Sequence, residues 1–285
     1  MFTKSFFNFL PPPDFLRMPH VGLYISDEAI RFIELLQGKQ GLELGRCGEK
    51  VLYPEVVQSG YINDTNALIK ALSEFKKEFG LHFIHTALPE EKIYLFKLKI
   101  PNVDEKEIRT NIEFHLAENV PISPNQTIFD YEIIGDGSEK GTIEVNVLAL
   151  PDKVVNTYLE VFIESGLVPL QFKTEGQAIA SVFIKKGDNG TYMIVNTEEK
   201  KTGIFIISGG LVRFSSTIVN KETLKNEIDK IRLFWDANDG KERKIEKVII
   251  PINPWTNVFD LNKYIPSLES DNALKYAVPI GLALF

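Results

Sequence analysis

The 285-residue sequence predicts an α/β protein built as two lobes with a small α+β subdomain inserted in the first. Two patterns lead to this. Three strands, a helix and a fourth strand follow one another within residues 21–88, and the same order returns within residues 192–252, about 170 residues later. Between the two copies, residues 92–150 read as a strand, a helix and two further strands, enough for a compact unit of their own.

Residues 1–20 form an N-terminal tail in which Phe2, Phe6, Phe7, Phe9 and Leu10 stand between Lys4 and Arg17. Pro11, Pro12 and Pro13 stop the apolar run before it reaches the length of a signal peptide, and no small-residue cleavage site follows. These aromatics either touch a membrane surface shallowly or pack across the protein's own surface. Strands are expected at 21–26, 29–36 and 42–48, separated by turn residues. Asp64 opens a helix with Ala67, Leu68, Ala71, Leu72, Phe75 and Phe79 on one face, and Gly80 ends it. A fourth strand spans 82–88, placing His82 and His85 partly buried on a strand face. They lack a third ligand at metal-binding spacing, so no zinc site is expected.

The inserted unit starts with a strand at 92–101. Asp104 and Glu107 resemble a capping box ahead of Ile108, Ile112 and Leu116, and strands at 128–134 and 143–150 complete it. Asp152 then starts a helix carrying Val154, Val155, Tyr158, Leu159, Phe162 and Ile163, with Gly166 as its left-handed cap. A strand at 168–172 and a helix at 175–185 follow. The second copy has strands at 192–196, 202–207 and 211–218, Gly209 and Gly210 forming a hairpin turn. Its helix, 221–237, aligns Leu224, Ile228, Ile231 and Trp235, and a strand at 247–252 closes the pattern. The expected domains are a tail at 1–20, a first lobe at 21–89 plus 151–186, an insertion at 90–150 and a second lobe at 187–285.

Composition excludes several classes of function. With 44% apolar and 25% charged residues the chain is globular in character. A net charge of −7 without a Lys/Arg-rich block argues against nucleic acid as a partner. Cys47 is the only cysteine, so an internal disulfide is impossible and a reducing compartment fits. On its strand it reads as an inert core thiol. No run reaches the ~18–20 apolar residues of a membrane span, and a cytoplasmic location is expected.

Several segments point further. The run from Pro19 to Leu35 (PHVGLYISDEAIRFIEL), the segments IEFHLAENVPI at 112–122 and FDYE at 129–132, and YLEVFIESGLVP at 158–169 followed by EGQAIA at 175–180 resemble, in that order, the PilM branch of actin-like proteins, which is related to FtsA. The closing IGLAL at 280–284 resembles the end of the same family. The resemblance implies an actin-like fold, a duplicated ribonuclease H-like core with the insertion in lobe one. It also implies a cytoplasmic platform at the inner membrane, working with other pilus assembly proteins and holding the cytoplasmic tail of a PilN-like membrane protein. In the family that tail lies between the first lobe and the insertion. Here the groove is expected to use Tyr94 and Phe96 of the first inserted strand and Asn111 and His115 of the helix, although Tyr94 and Phe96 could simply be core.

The resemblance also implies an ATP site, and this sequence departs from it. Tyr24 stands where the first phosphate motif has Asp, Ser26 where it has Gly, and Asp27 and Glu28 in the turn would repel a triphosphate. The second motif reads Asn196-Thr-Glu-Glu-Lys-Lys-Thr202, and the third, at 251–255, lacks its Gly-Gly turn. The second-lobe subdomain that walls the nucleotide is missing after Ile218. Ser26, Arg31 and Glu175 are therefore expected to be a vestigial cleft, with no cofactor and no enzymatic activity. Two alternatives are an ATPase, or a sugar-kinase relative, that holds ATP with magnesium through altered contacts, and an FtsA-like division scaffold. The latter calls for a C-terminal amphipathic helix, which is not seen before Phe285.

Overall fold

The computed structural model describes residues 19–38, 41–137, 140–219, 221–241 and 243–285. The aromatic tail expected at the N-terminus lies outside the described residues up to Met18. The first lobe opens with β1 (Val21–Ile25), β2 (Ala29–Gly38) and β3 (Gly41–Val51), an antiparallel meander. A two-residue ribbon, β4 (Val57–Gln58) and β5 (Tyr61–Ile62), precedes α1 (Thr65–Phe79). Asp64 caps α1 by accepting from the Ala67 N–H at 2.9 Å, and Gly80 ends it at φ 64°. β6 (Phe83–Leu88) then pairs parallel to β1.

The insertion contains β7 (Tyr94–Pro101), α2 (Glu105–Asn119), β8 (Thr127–Asp136) and β9 (Thr142–Pro151). Its sheet has the order β7-β9-β8, and α2 lays Ile108, Ile112 and Leu116 on one face of it. The chain returns to the first lobe through α3 (Asp152–Glu164), β10 (Val168–Thr174) and α4 (Glu175–Phe183). β10 joins the first sheet beside β6, giving the order β10-β6-β1-β2-β3. In the second lobe β11 (Thr191–Thr197), β12 (Thr202–Ser208) and β13 (Leu211–Ile218) form a second meander. α5 (Leu224–Asn238) follows, and β14 (Lys247–Ile249) pairs parallel to β11. The order β13-β12-β11-β14 repeats that of β3-β2-β1-β6, so the duplication is present in strand order as well as in sequence order. The fold is actin-like, and the chain passes from β13 to α5 in a few residues, without a second-lobe insertion.

The chain ends in α6 (Ser270–Ala273) and α7 (Ala277–Ala283), which the sequence patterns left unassigned. α7 lies against β1 and α4 at backbone distance. A Cβ on Gly22 would sit 1.9 Å from the Pro279 carbonyl oxygen, and one on Gly281 would sit 2.0 Å from that of Ala178. Glycine is needed at both positions because a side chain would collide with backbone that cannot yield.

Several expectations need correction. His82 is exposed and precedes β6, while His85 is buried on it and stacks on His20 with ring centroids 3.7 Å apart. Burial and then the neighbouring His20 lower the His85 pKa to about 4. On α3, Val161 is buried and Ile163 is exposed, because the buried stripe runs through Val154, Tyr158, Val161 and Phe162. β14 stops at Ile249 instead of reaching 252. Pro251, without an N–H, cannot extend the ladder, and Ile250 and Ile252 are left exposed. Among the described residues no helix is long and apolar enough to cross a membrane.

Candidate functional site

Two regions stand out where the lobes and the insertion join. The first is the interlobe cleft, where the residues expected as a vestigial nucleotide site are found. Tyr24, on β1, is 2% exposed and packs with Ala87, Ala178, Ile194 and Phe205, residues drawn from both lobes. Its ring fills the space that a smaller acid would leave open. Ser26 turns inward: its hydroxyl accepts from the N–H groups of Glu28 and Ala29 at 3.2 and 3.1 Å. Arg31, opposite Tyr24 on β2, gives its Nε to Glu49 on β3.

Glu175 is held otherwise. It is the first residue of α4, whose N-terminus carries a full capping box between Thr174 and Gln177. Lys201, in the β11–β12 turn, donates to its two carboxylate oxygens at 2.7 and 3.0 Å and reaches Glu91 at 3.0 Å. Glu90 lies behind them, its carboxylate accepting from the Gly176 N–H at 3.1 Å. The structure therefore pairs Glu175 with Lys201, while Ser26 and Arg31 are taken up by the first meander.

Electrostatics follow from this crowding. Burial alone would lower the Lys201 pKa, but Glu175, Tyr24, Glu198 and Glu91 raise it well above the usual lysine value, so it stays an ammonium. Burial, opposed by Lys201, raises Glu175. Burial and then Glu175 raise Glu90 to about 7, and burial raises Glu198 to about 8. Among the described residues no three His, Cys, Asp or Glu side chains are placed to hold a metal ion. Lys201 escaped the sequence patterns because a lysine in a hairpin turn usually points to solvent. The only signal was its position inside a motif expected to be degenerate.

The second region is a groove of about 920 Å³ between the insertion and the first lobe. One wall is the outer strand of the inserted sheet, β8, with Ile128, Asp130 and Glu132, backed by Leu95 and Leu148. The other is the outer strand of the first sheet, β10, with Phe172 and Lys173, continued by Gln177 and Ala180 of α4 and by Ile184 just after it. Glu90 and Val212 line it as well. Both walls are strands at the end of their sheets, so unpaired main-chain groups flank an apolar trough. Tyr94, Phe96, Asn111 and His115 lie outside it. Alternation along β7 turns Tyr94 and Phe96 toward α2, where they pack on the insertion's own core. Asn111 donates to the Glu107 carbonyl, and His115 lies beside Glu118 on the α2 surface. The even-numbered residues of β7 were expected in the groove; the odd-numbered Leu95 is the one that lines it.

The profile of the family described as type IV pilus assembly protein PilM matches residues 22–217. Among solved structures, the PilM-PilN type IV pilus biogenesis complex superposes with a TM-score of 0.77 at 17% identity, covering 94% of this chain and 98% of the other. The cytoplasmic domain of EpsL, an inner membrane component of the type II secretion system of Vibrio cholerae, superposes with a TM-score of 0.53 at 11% identity. It covers 90% of this chain and 93% of the other. No curated protein sequence matches the chain.

Proposed function

This chain belongs to the family of type IV pilus assembly proteins PilM, and from that premise we propose that it is a non-enzymatic platform. In this reading it sits at the cytoplasmic face of the inner membrane and binds the cytoplasmic tail of a PilN-like protein. The observation that carries the reading is the groove between β8 and β10. An extended peptide can take main-chain hydrogen bonds from either sheet edge while its apolar side chains enter the trough lined by Leu95, Ile128, Leu148 and Phe172. Asp130 and Glu132 on one wall face Lys173 on the other, so a tail with a basic residue toward the insertion suits it best.

Loss of nucleotide binding belongs to the same reading. Tyr24 occupies the cleft, Lys201 already neutralises Glu175, and the acidic turn at Asp27 and Glu28 repels phosphate. The test is titration of the full chain with a labelled synthetic tail of the PilN-like protein and, separately, with Mg-ATP. Saturable tail binding that Leu95→Arg abolishes is expected, together with ATP binding weaker than about 1 mM. Tail binding that ignores Leu95→Arg would sink the groove assignment, and tight ATP binding would sink the loss of the nucleotide site.

A further inference from the structure

We propose that Lys201 is a tethered cation that clamps the second lobe onto the first lobe and onto the root of the insertion. Three segments distant in sequence converge on its ammonium group. The β11–β12 turn of the second lobe supplies Lys201 itself, the first residue of α4 supplies Glu175, and the turn between β6 and β7 supplies Glu91. The side chains of Lys201, Glu175 and Glu91 are only 12%, 4% and 14% exposed. Behind this trio, Glu90 accepts from the Gly176 N–H, and the Glu90 N–H points to Glu175 at 3.4 Å. Ser215 of β13 stands against Glu90 from the second lobe. Tyr24 faces the cation with its ring centroid 5.8 Å from Nζ. Glu198, from the same turn as Lys201, keeps one buried carboxylate oxygen without a partner.

The energetic asymmetry makes this a clamp rather than ornament. Exposed pairs such as Lys50 with Glu74 contribute little, because water screens them in any conformation. A buried cation among several carboxyl groups differs: without it, the acids repel one another in a medium that screens poorly. Removing the positive charge therefore leaves the junction uncompensated, and the acids are relieved by taking up protons and by admitting water as the lobes part. In an actin-like cleft this is the space between the two meander turns. Here the Lys201 side chain occupies it. The clamp also reaches the groove, and this step rests on the peptide-binding reading: Glu90 lines the groove, so displacing Lys201 moves part of its lining.

Hydrogen exchange of the full chain, read by mass spectrometry, tests the clamp without any ligand. Lys201→Met keeps the stem length and removes the ammonium group, its charge and its N–H donors together. Amides of residues 174–178 and 198–203 are expected to exchange about ten-fold faster in this variant, with β9 unchanged. Unaltered exchange at both segments in the folded variant overturns the clamp. Should Lys201→Met not fold, Glu91→Gln removes one partner more gently. It is read at the same segments, with exchange expected to rise about three-fold and no rise overturning the proposal. Tail affinity is measured separately on the same proteins and is expected to change with the exchange rate. Unchanged affinity beside faster exchange overturns the link to the groove and leaves the clamp standing. Absence of tail binding by the unmodified chain overturns the peptide reading alone.

Discussion

Glu90 and Glu198 make the stability of the molecule depend on pH in a direction opposite to that of most carboxyl groups. Their folded pKa values, about 7 and about 8, lie above the ordinary 4.5, so the folded chain holds protons that the unfolded chain releases. The stabilisation is fully present below the unfolded value and is lost as pH rises through the folded values. Above about pH 6.5, where the buried neutral His85 no longer adds an opposing rise, the melting temperature is expected to fall up to about pH 8, and Glu90→Gln with Glu198→Gln to flatten that slope. A melting temperature that rises over this range would contradict the burial of these acids. Gly22 gives a second residue-level test. Gly22→Ala places a methyl group against the Pro279 carbonyl and is expected to cost about 2–3 kcal/mol by denaturant unfolding. At this scale the sequence marked positions that depart from the motif the resemblance implies and was silent about the contacts made there. Tyr24 and Ser26 were recognisable as departures from a phosphate motif, because a motif has fixed positions. The partner of Glu175 was not recognisable, because Lys201 reaches it across a tertiary fold that no spacing encodes.

Elements with a strong period and a cap were legible from the sequence. α1 has Asp64 before it, Gly80 after it and Leu68, Leu72 and Phe75 buried between, and α5 buries Ile231 and Trp235 as its stripe requires. What failed was the assignment of faces and ends. Alternation along β7 told which residues share a face but not that Leu95, on the face shared with Lys97 and Lys99, lines the groove. The C-terminal α7 was missed because it is apolar all round, buried between β1 and α4, and so has no amphipathic signature. The two faces give a comparison. Asn111→Glu with His115→Glu, an i, i+4 pair on α2, is expected to leave tail binding within about two-fold of the unmodified protein. Leu148→Arg on the trough side is expected to abolish it. Peptide titration of the two proteins decides between the faces, and the opposite ranking would return the site to α2. Thr174 adds a stability test: Thr174→Ala removes the hydroxyl that accepts from the Gln177 N–H, with an expected cost of about 1 kcal/mol.

Across the whole molecule, specific polar ties join the three bodies beside the apolar cluster that the two lobes share. Asn146 of the insertion donates to the Val212 carbonyl of the second lobe at 2.9 Å, and Lys97 pairs with Asp239, the residue just after α5. The actin-like plan was visible in the order of elements, because a duplication repeats order even where identity has faded. The close seating of the insertion on the second lobe was not, because these ties are single polar contacts. The insertion's geometry carries one more consequence, and it concerns time. β7 and β9 run antiparallel with Tyr94 opposite Ala149, so the chain enters and leaves the insertion side by side. The first sheet must pair β6 with β10 across this whole excursion. Closing a flexible loop of roughly eighty residues carries an entropic cost that delays folding. An insertion that folds first brings the two ends together and turns that search into a short-range one. Val145→Ala, which thins the insertion's own core, is therefore expected to slow refolding of the first lobe more than it speeds unfolding. Stopped-flow fluorescence that finds the change confined to the unfolding arm would show that the first lobe assembles without waiting for its insert.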